Sequence, residues 1–395
     1  MPSVPGENGY QTLYTFTGGA DGAAPFDTVE FDSTTGNLYG TTVAGGAYGH
    51  GTIFQLAPDG SETVLYNFAG GADGGHPISF PHLFMDKKGN LFGTTSLGGA
   101  SNLGTVFEFA HDGTFRTLYS FKGGGDGSAP WSGVIADQNG NFYGTTTEGG
   151  GSRCGGTGCG TVWELAPDGT ETVLYSFGIR KGDGKTPEDG LLRDSAGNFF
   201  GTTLSGGKAG QGTVFEVASD GSEKVLHSFR GANDGSQPYD YLIEDSAGNL
   251  YGTTSSGGRN IPAGTVFKLA PQGNHYKETV IYVFQGGETD GGSPNGLAMG
   301  AQGNLYGTTY GGGSGNACAF GCGTIFELSP PAKPKHGKRW TETVLHFFTG
   351  IPDGGWPDEG VISDGKGLLY GTTSSGGEGS CYNGIGCGTV FKLNQ

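Results

Sequence analysis

The chain has 395 residues and carries 21 Lys and Arg against 38 Asp and Glu, a formal net charge of −17. Glycine occupies 84 of the 395 positions, about 21 % where globular chains average roughly 7 %. The absence of a Gly-X-Y period and an aromatic content of 12 % exclude collagen and a disordered linker. The acidic balance excludes non-specific nucleic-acid binding, because phosphate needs a cationic face.

No apolar window approaches the roughly 18 residues of a spanning helix, so no membrane insertion is expected. Residues 1–9 lack the basic and apolar regions of a signal peptide and read as a flexible segment ahead of one domain over 10–395. Tyr10 to Phe16 is a lone alternating strand. After it the tripeptide Gly-Thr-Thr recurs seven times, at 40–42, 93–95, 144–146, 201–203, 252–254, 307–309 and 371–373. Each copy is preceded by an aromatic residue and followed by Gly-Thr, an aliphatic residue and Phe or Trp, as in Gly51–Phe54 and Gly160–Trp163. A turn such as Pro58-Asp59-Gly60 and an alternating run such as Thr63–Phe68 come next. The unit closes on Asp-Gly-x-x-Pro, with its Asp at 21, 73, 126, 183, 234, 290 and 353.

Within a unit every apolar run is short, rich in β-branched and aromatic residues, and bounded by Gly, Asn, Asp or Pro, which reads as four strands, A to D. In the fourth unit these are Gly190–Asp194, Phe199–Thr203, Gly212–Val217 and Lys224–Phe229. Asp-Gly and Gly-Asn turns suit tight hairpins. Four antiparallel strands repeated seven times predict an all-β, seven-bladed β-propeller. The chain ends in a strand C, Gly388–Leu393. Pairing it with Tyr10–Phe16 would close the ring and remove the sheet edge. An open β-solenoid is the rival architecture.

In such blades the B–C and D–A connections share one face. The B–C loops run 8, 8, 13, 8, 9, 13 and 14 residues, and the three longest hold all six cysteines. Variable loops on a rigid ring favour binding, so function is expected on this face. Proximity within separate units predicts the disulfides Cys154–Cys159, Cys318–Cys322 and Cys381–Cys387 among the 15 connectivities six cysteines allow. Zinc knuckles differ in spacing and ligand number. Disulfides place the protein in an oxidising compartment, secreted, extracellular or periplasmic, with its signal peptide removed.

The seven aspartates, Asp21, Asp73, Asp126, Asp183, Asp234, Asp290 and Asp353, have two readings. They cap turns, or they hold Ca²⁺ through oxygen; no other cofactor or metal is expected. The Thr-Thr pairs read as β-formers whose hydroxyls bond a neighbouring loop. Phe26, Trp131, Tyr239 and Trp356 flank the prolines and either fill gaps between blades or stack on sugar rings, with Tyr48, Tyr310, Phe320 and Tyr382 extending the surface. The acidic pairs Glu188/Asp189 and Asp358/Glu359 admit glycoside hydrolysis by paired carboxylates. His76 and His82, flanking one strand A, admit proton abstraction by a lyase. Residues 330–340 form the only basic run in the sequence, a Pro-rich loop on the opposite face. Neither a phosphate-binding loop nor a hydrolase or zinc-protease motif occurs.

The run Leu-Tyr-Gly-Thr-Thr-x-x-Gly-Gly, then Gly-Thr-Val-Phe, Asp-Gly, Thr-Val-Leu-Tyr-Ser-Phe and Asp-Gly-x-x-Pro, resembles the Gloeobacter/Verrucomicrobia-type (GloVer) tandem repeat over about residues 10–393. The resemblance implies a bacterial secreted or surface repeat protein and transfers no catalytic residue. The sixth and seventh units depart from it at Met299–Asn304 and Gly367-Leu368. The resulting expectation is a non-catalytic binding or scaffold propeller with a polysaccharide or surface glycan as partner. Candidate contacts are Phe26, His76, Trp131, Glu188, Tyr239, Trp356 and Asp358. A polysaccharide lyase or glycoside hydrolase at the channel mouth is the alternative.

Overall fold

The computed structural model describes residues 9–231, 233–258, 263–315, 317–331, 339–381 and 384–395. Seven antiparallel sheets surround one axis as the blades of a β-propeller. In blade 4 the strands are Leu192–Arg193, Phe199–Thr203, Thr213–Val217 and Glu223–Ser228, from the axis outward. Blade 7 borrows its outer strand from the other end of the chain. Tyr10–Thr15 runs antiparallel to Thr389–Asn394, with Tyr10 opposite Leu393 and Thr15 opposite Thr389. The predicted closure is therefore present, and the flexible reading of residues 1–8 lies outside the described residues.

The repeated motif encodes the joints between blades. The Phe that ends each strand D meets the strand C Phe or Trp of the next blade edge-on. The pairs are Phe16–Phe54, Phe68–Phe107, Phe121–Trp163, Phe177–Phe215, Phe229–Phe267, Phe284–Phe326 and Phe348–Phe391, with ring centroids 4.9–5.7 Å apart. All fourteen rings are buried. Edge-to-face contact matches the positive ring edge to the negative face and adds to the area term. The glycine of Gly-Thr-Thr provides the room: a β-carbon on Gly252 would lie 2.7 Å from Phe267 Cζ.

The second Thr of each Thr-Thr pair meets the first Thr of strand C, from Thr42–Thr52 at 2.9 Å to Thr373–Thr389 at 2.9 Å. The same hydroxyl donates to the carbonyl two residues on, as Thr95 does to Leu97 at 2.8 Å. These buried hydroxyls are satisfied within their own blade. The proline of Asp-Gly-x-x-Pro packs on the preceding blade, against the glycine before strand C. That glycine, for example Gly212 at φ +97°, sits in the left-handed region and would push a β-carbon 2.5 Å from the Thr203 carbonyl oxygen.

Each aspartate of Asp-Gly-x-x-Pro caps its own turn. Asp73 accepts the Ala69 N–H at 2.7 Å and the Tyr66 hydroxyl at 3.0 Å. Asp353 accepts the Thr349 N–H at 3.0 Å and pairs with His346 at 2.9 Å. The three predicted disulfides form. The second member of each pair, Cys159, Cys322 and Cys387, is buried and offers its carbonyl to the next blade's Thr186, Trp356 and Ala24 N–H groups at 2.8, 2.9 and 2.9 Å.

Strand A departs from expectation. Only Leu192–Arg193 pairs within the predicted 190–194, because the chain before it leaves the sheet and turns in toward the axis. Gly190 there approaches blade 2 so closely that a β-carbon would lie 3.0 Å from the Phe80 carbonyl oxygen.

Gly252→Ala is expected to destabilise by ~1–3 kcal/mol through overpacking against Phe267, read from chemical denaturation. Phe267→Leu in the same chain should recover part of that loss; strictly additive losses would show that the two sites do not share the joint.

Candidate functional site at the propeller axis

The residue two places after each blade's proline points to the axis. Asp27, Ser79, Ser132, Asp189, Asp240 and Glu359 occupy this position in blades 1, 2, 3, 4, 5 and 7, all buried. Blade 6 lacks one residue in this segment, and Asn295 and Gly296 stand there instead. Thr hydroxyls of the preceding blade's strand B fix the backbone of these residues. Thr145 donates to the Asp189 carbonyl at 3.2 Å, Thr202 to Asp240 at 3.1 Å, Thr308 to Glu359 at 2.7 Å and Thr372 to Asp27 at 2.7 Å.

Asp189, Asp240 and Glu359 come together, with one oxygen from each lying within 4.8 Å of the others. Asp189 Oδ1 accepts the Gly190 N–H, and Asp240 Oδ2 accepts the Thr253 hydroxyl. Asp27 Oδ2 accepts the Thr41 hydroxyl at 2.6 Å and the Ser79 N–H at 2.9 Å. The other oxygens, Asp27 Oδ1, Asp189 Oδ2, Asp240 Oδ1 and both of Glu359, are buried without a hydrogen-bond partner. Burial pushes Asp27 and Asp240 up to about 7, against the Thr41 and Thr253 hydroxyls. Burial and then the Asp240 charge hold Asp189 well above the carboxylate range; burial and then Asp189 do the same for Glu359.

The channel is plugged beside this cluster. Blade 2 has nine residue steps from Pro77 to Asp86 where blade 1 has seven from Pro25 to Asp32, and the extra residues cross the axis. The Phe80 N–H donates to Trp131 at 3.1 Å, Gly133 donates to the Phe80 carbonyl at 2.7 Å, and Thr28 donates to that of Pro81 at 2.9 Å. The Phe80 ring meets Tyr239 of blade 5 at 6.1 Å. On the far side of the plug, a cavity of about 320 Å³ is lined by Pro81, His82, Ile135, Leu192, Tyr241 and Glu244 among others.

The expected site residues divide. Phe26, Trp131 and Tyr239 pack together around Val43, Ile78 and Phe80 on the B–C/D–A side. Glu188 and Asp358 hold the same place after their prolines, and the Tyr239 hydroxyl is raised by burial first and then by charges that include both. These five are half-buried. Burial pushes Glu188 and Asp358 up to about 7.

His76 and Trp356 do not join this group. They precede their prolines at φ 51° and 53°, which turns them outward. His76 faces His50 with ring centroids 6.3 Å apart, and Trp356 stacks on Tyr310 at 5.9 Å. His82 lies beyond the plug, ion-paired with Glu30 at 3.0 Å, so the two histidines share no site. Phe320 is 95 % exposed; Tyr382 and most of the basic run lie outside the described residues.

Sequence reading missed Asp27 and Asp240 as site residues. The signal was available: a polar side chain recurs two places after the proline, where an inner strand ordinarily carries an apolar one. It also missed a groove of about 920 Å³ that gathers Arg180, Lys181, Lys208, Lys224 and Arg230 from separate segments.

A family profile described as the Gloeobacter/Verrucomicrobia repeat matches residues 3–157 and 154–391. No curated protein sequence matches. A candidate 6-phosphogluconolactonase from Bacteroides uniformis is 15 % identical and superposes with a TM-score of 0.53 over 87 % of this chain and 89 % of its own. A Xanthomonas campestris gluconolactonase is 15 % identical over 75 % of this chain and 85 % of its own, with a TM-score of 0.42. A luciferin-regenerating enzyme is 13 % identical over 100 % and 96 %, with a TM-score of 0.43. At these identities the likeness is one of propeller fold.

The axial acids make stability pH-dependent. Asp27 and Asp240 bind protons more tightly folded than unfolded, so their protonated forms support the fold fully below about pH 4. That support is lost as pH rises through about 7. Asp189, Glu359, Glu188 and Asp358 act in the same direction. In chelator-containing buffer, the free energy of unfolding should fall from pH 4 toward pH 7 by an amount on the order of several kcal/mol, and Tm should fall with it. Asp240→Asn should flatten the profile; an unchanged slope would show that Asp240 does not contribute.

Proposed function

We propose that this chain, which belongs to the Gloeobacter/Verrucomicrobia repeat family, is an exported binding scaffold that holds a neutral glycan over the axis, on the face of its disulfide-stapled loops. The observation that carries this reading is the packing of Phe26, Trp131 and Tyr239 into one group, with the Glu188 and Asp358 charges acting on Tyr239. Aromatic faces take the C–H surface of a sugar ring, and carboxylates accept its hydroxyls. Fixed rings lose little entropy on binding. An acidic floor disfavours polyanionic chains.

Three disulfides fit an extracellular or periplasmic setting. Among the described residues no helix is long and apolar enough to cross a membrane.

One observation favours a second, enzymatic reading. Glu188 is half-buried and pushed to about 7, a value suited to a general acid near neutrality. With Asp358 beside Tyr239, it would serve a polysaccharide hydrolase or lyase.

A glycan array followed by intrinsic-fluorescence titration tests the binding reading. Trp131→Ala and Tyr239→Ala should each weaken a neutral-glycan hit by about tenfold or more, measured at a temperature where circular dichroism shows each variant folded. An array without hits, or hits that both variants retain, would overturn it. New reducing ends or unsaturated products that disappear with Glu188→Gln would establish the enzymatic reading instead.

A further inference from the structure

The axial carboxylates present a physical problem that the glycan reading does not address. Four of them, Asp27, Asp189, Asp240 and Glu359, are at most 4 % exposed. Among the described residues no Lys or Arg figures among the charges that act on them, and the one cation that does is His82, acting on Asp27. Burying unpaired carboxylates costs several kcal/mol each. Replacing them with apolar residues would remove that cost, yet four blades direct an acid to one point.

The arrangement of their oxygens is specific. Asp189, Asp240 and Asp27 each fix one oxygen with a neighbouring N–H or hydroxyl and leave the other without a partner. Glu359 leaves both. This is how a metal ligand is oriented by a second layer of bonds. Glu359 is the longer acid, and it reaches the cluster from blade 7 past blade 6, whose Gly296 has no side chain to place there.

We propose that Asp189, Asp240 and Glu359 bind one Ca²⁺ at the propeller axis, with the Asp27 charge acting on the site from blade 1. Asp27 is the independent indicator. It lies on another blade, is buried with an unpartnered oxygen, and its charge acts on both Asp189 and Glu359. The donor set is all oxygen, with no imidazole or thiolate among the clustered groups, which selects a hard cation. Ca²⁺ takes 6–8 oxygens at about 2.3–2.6 Å, so ligand atoms across its shell stand up to roughly 4.8 Å apart, the limit within which the three oxygens lie. Mg²⁺ demands a tighter octahedron and gives up its waters reluctantly; the site is sealed from solvent. The ion therefore ties blades 4, 5 and 7 together from the inside, whereas Asp21 and its equivalents each cap a turn of their own.

The test uses the full chain, unfolded and refolded in chelator, then dialysed into neutral metal-free buffer. Calorimetric titration with Ca²⁺ alone should give one ion per chain, and saturating Ca²⁺ should raise Tm by roughly 5 °C or more. Tb³⁺ should show luminescence sensitised by nearby Tyr239 and Tyr241. Asp240→Asn and Glu359→Gln should each abolish the Ca²⁺ response while leaving the metal-free fold as stable as the parent or more so, since each replaces an acid whose ionisation burial penalises with a neutral side chain of the same shape. Asp126→Asn, in a surface turn, should keep the response. Absence of a stoichiometric response in the folded parent would overturn the assignment, as would a response that survives both axial substitutions or is lost in Asp126→Asn. None of these readouts depends on the glycan.

Discussion

Seven edge-to-face aromatic contacts hold the ring together, and most other features of the chain make room for them or follow from them. A four-stranded blade has too little apolar surface to be stable alone, so the stabilising burial lies between blades. Phe229 against Phe267 and its six equivalents supply it. The glycine of Gly-Thr-Thr stands aside for the ring, the Thr pair satisfies the polar atoms beside it, and the proline of the next blade seals the edge. Because Phe16 meets Phe54 and Phe348 meets Phe391, the joint between the chain's two ends is made of the same parts as the other six.

That uniform exterior frees the centre to vary. The positions facing the axis bear little of the inter-blade packing, and here the repeats diverge. Blade 2 inserts Phe80-Pro81 and stops the channel, blade 6 loses a residue and withdraws its side chain, and blades 1, 4, 5 and 7 contribute acids. The plug separates an aromatic and acidic surface on the stapled-loop face from an apolar cavity on the opposite one. Sealing the acids away from water gives them their raised proton affinity.

Different parts of this were legible to different degrees. Strand B and strand C could be read almost to the residue, because their motif repeats and its spacing is periodic. The disulfides followed from proximity within one loop. Of the candidate binding residues, Phe26, Trp131, Glu188, Tyr239 and Asp358 were recoverable from their place beside a proline. His76 and Trp356 looked equivalent, but they stand two residues earlier, on the other side of the proline, where a positive φ turns the side chain away. Asp27 and Asp240 escaped notice because each is a single acid in an acidic chain, significant only when superposed on the others around the axis.

By itself the amino-acid sequence determined the number of blades, the order of strands, the closure of the ring and the pairing of cysteines, because each depends on local spacing repeated seven times. Tertiary structure alone decided which side chains meet at the axis, that the channel is stopped, and that five basic residues share one groove. Those facts depend on distances between blades that are remote in sequence, and on one inserted and one deleted segment whose effect appears only when the ring closes.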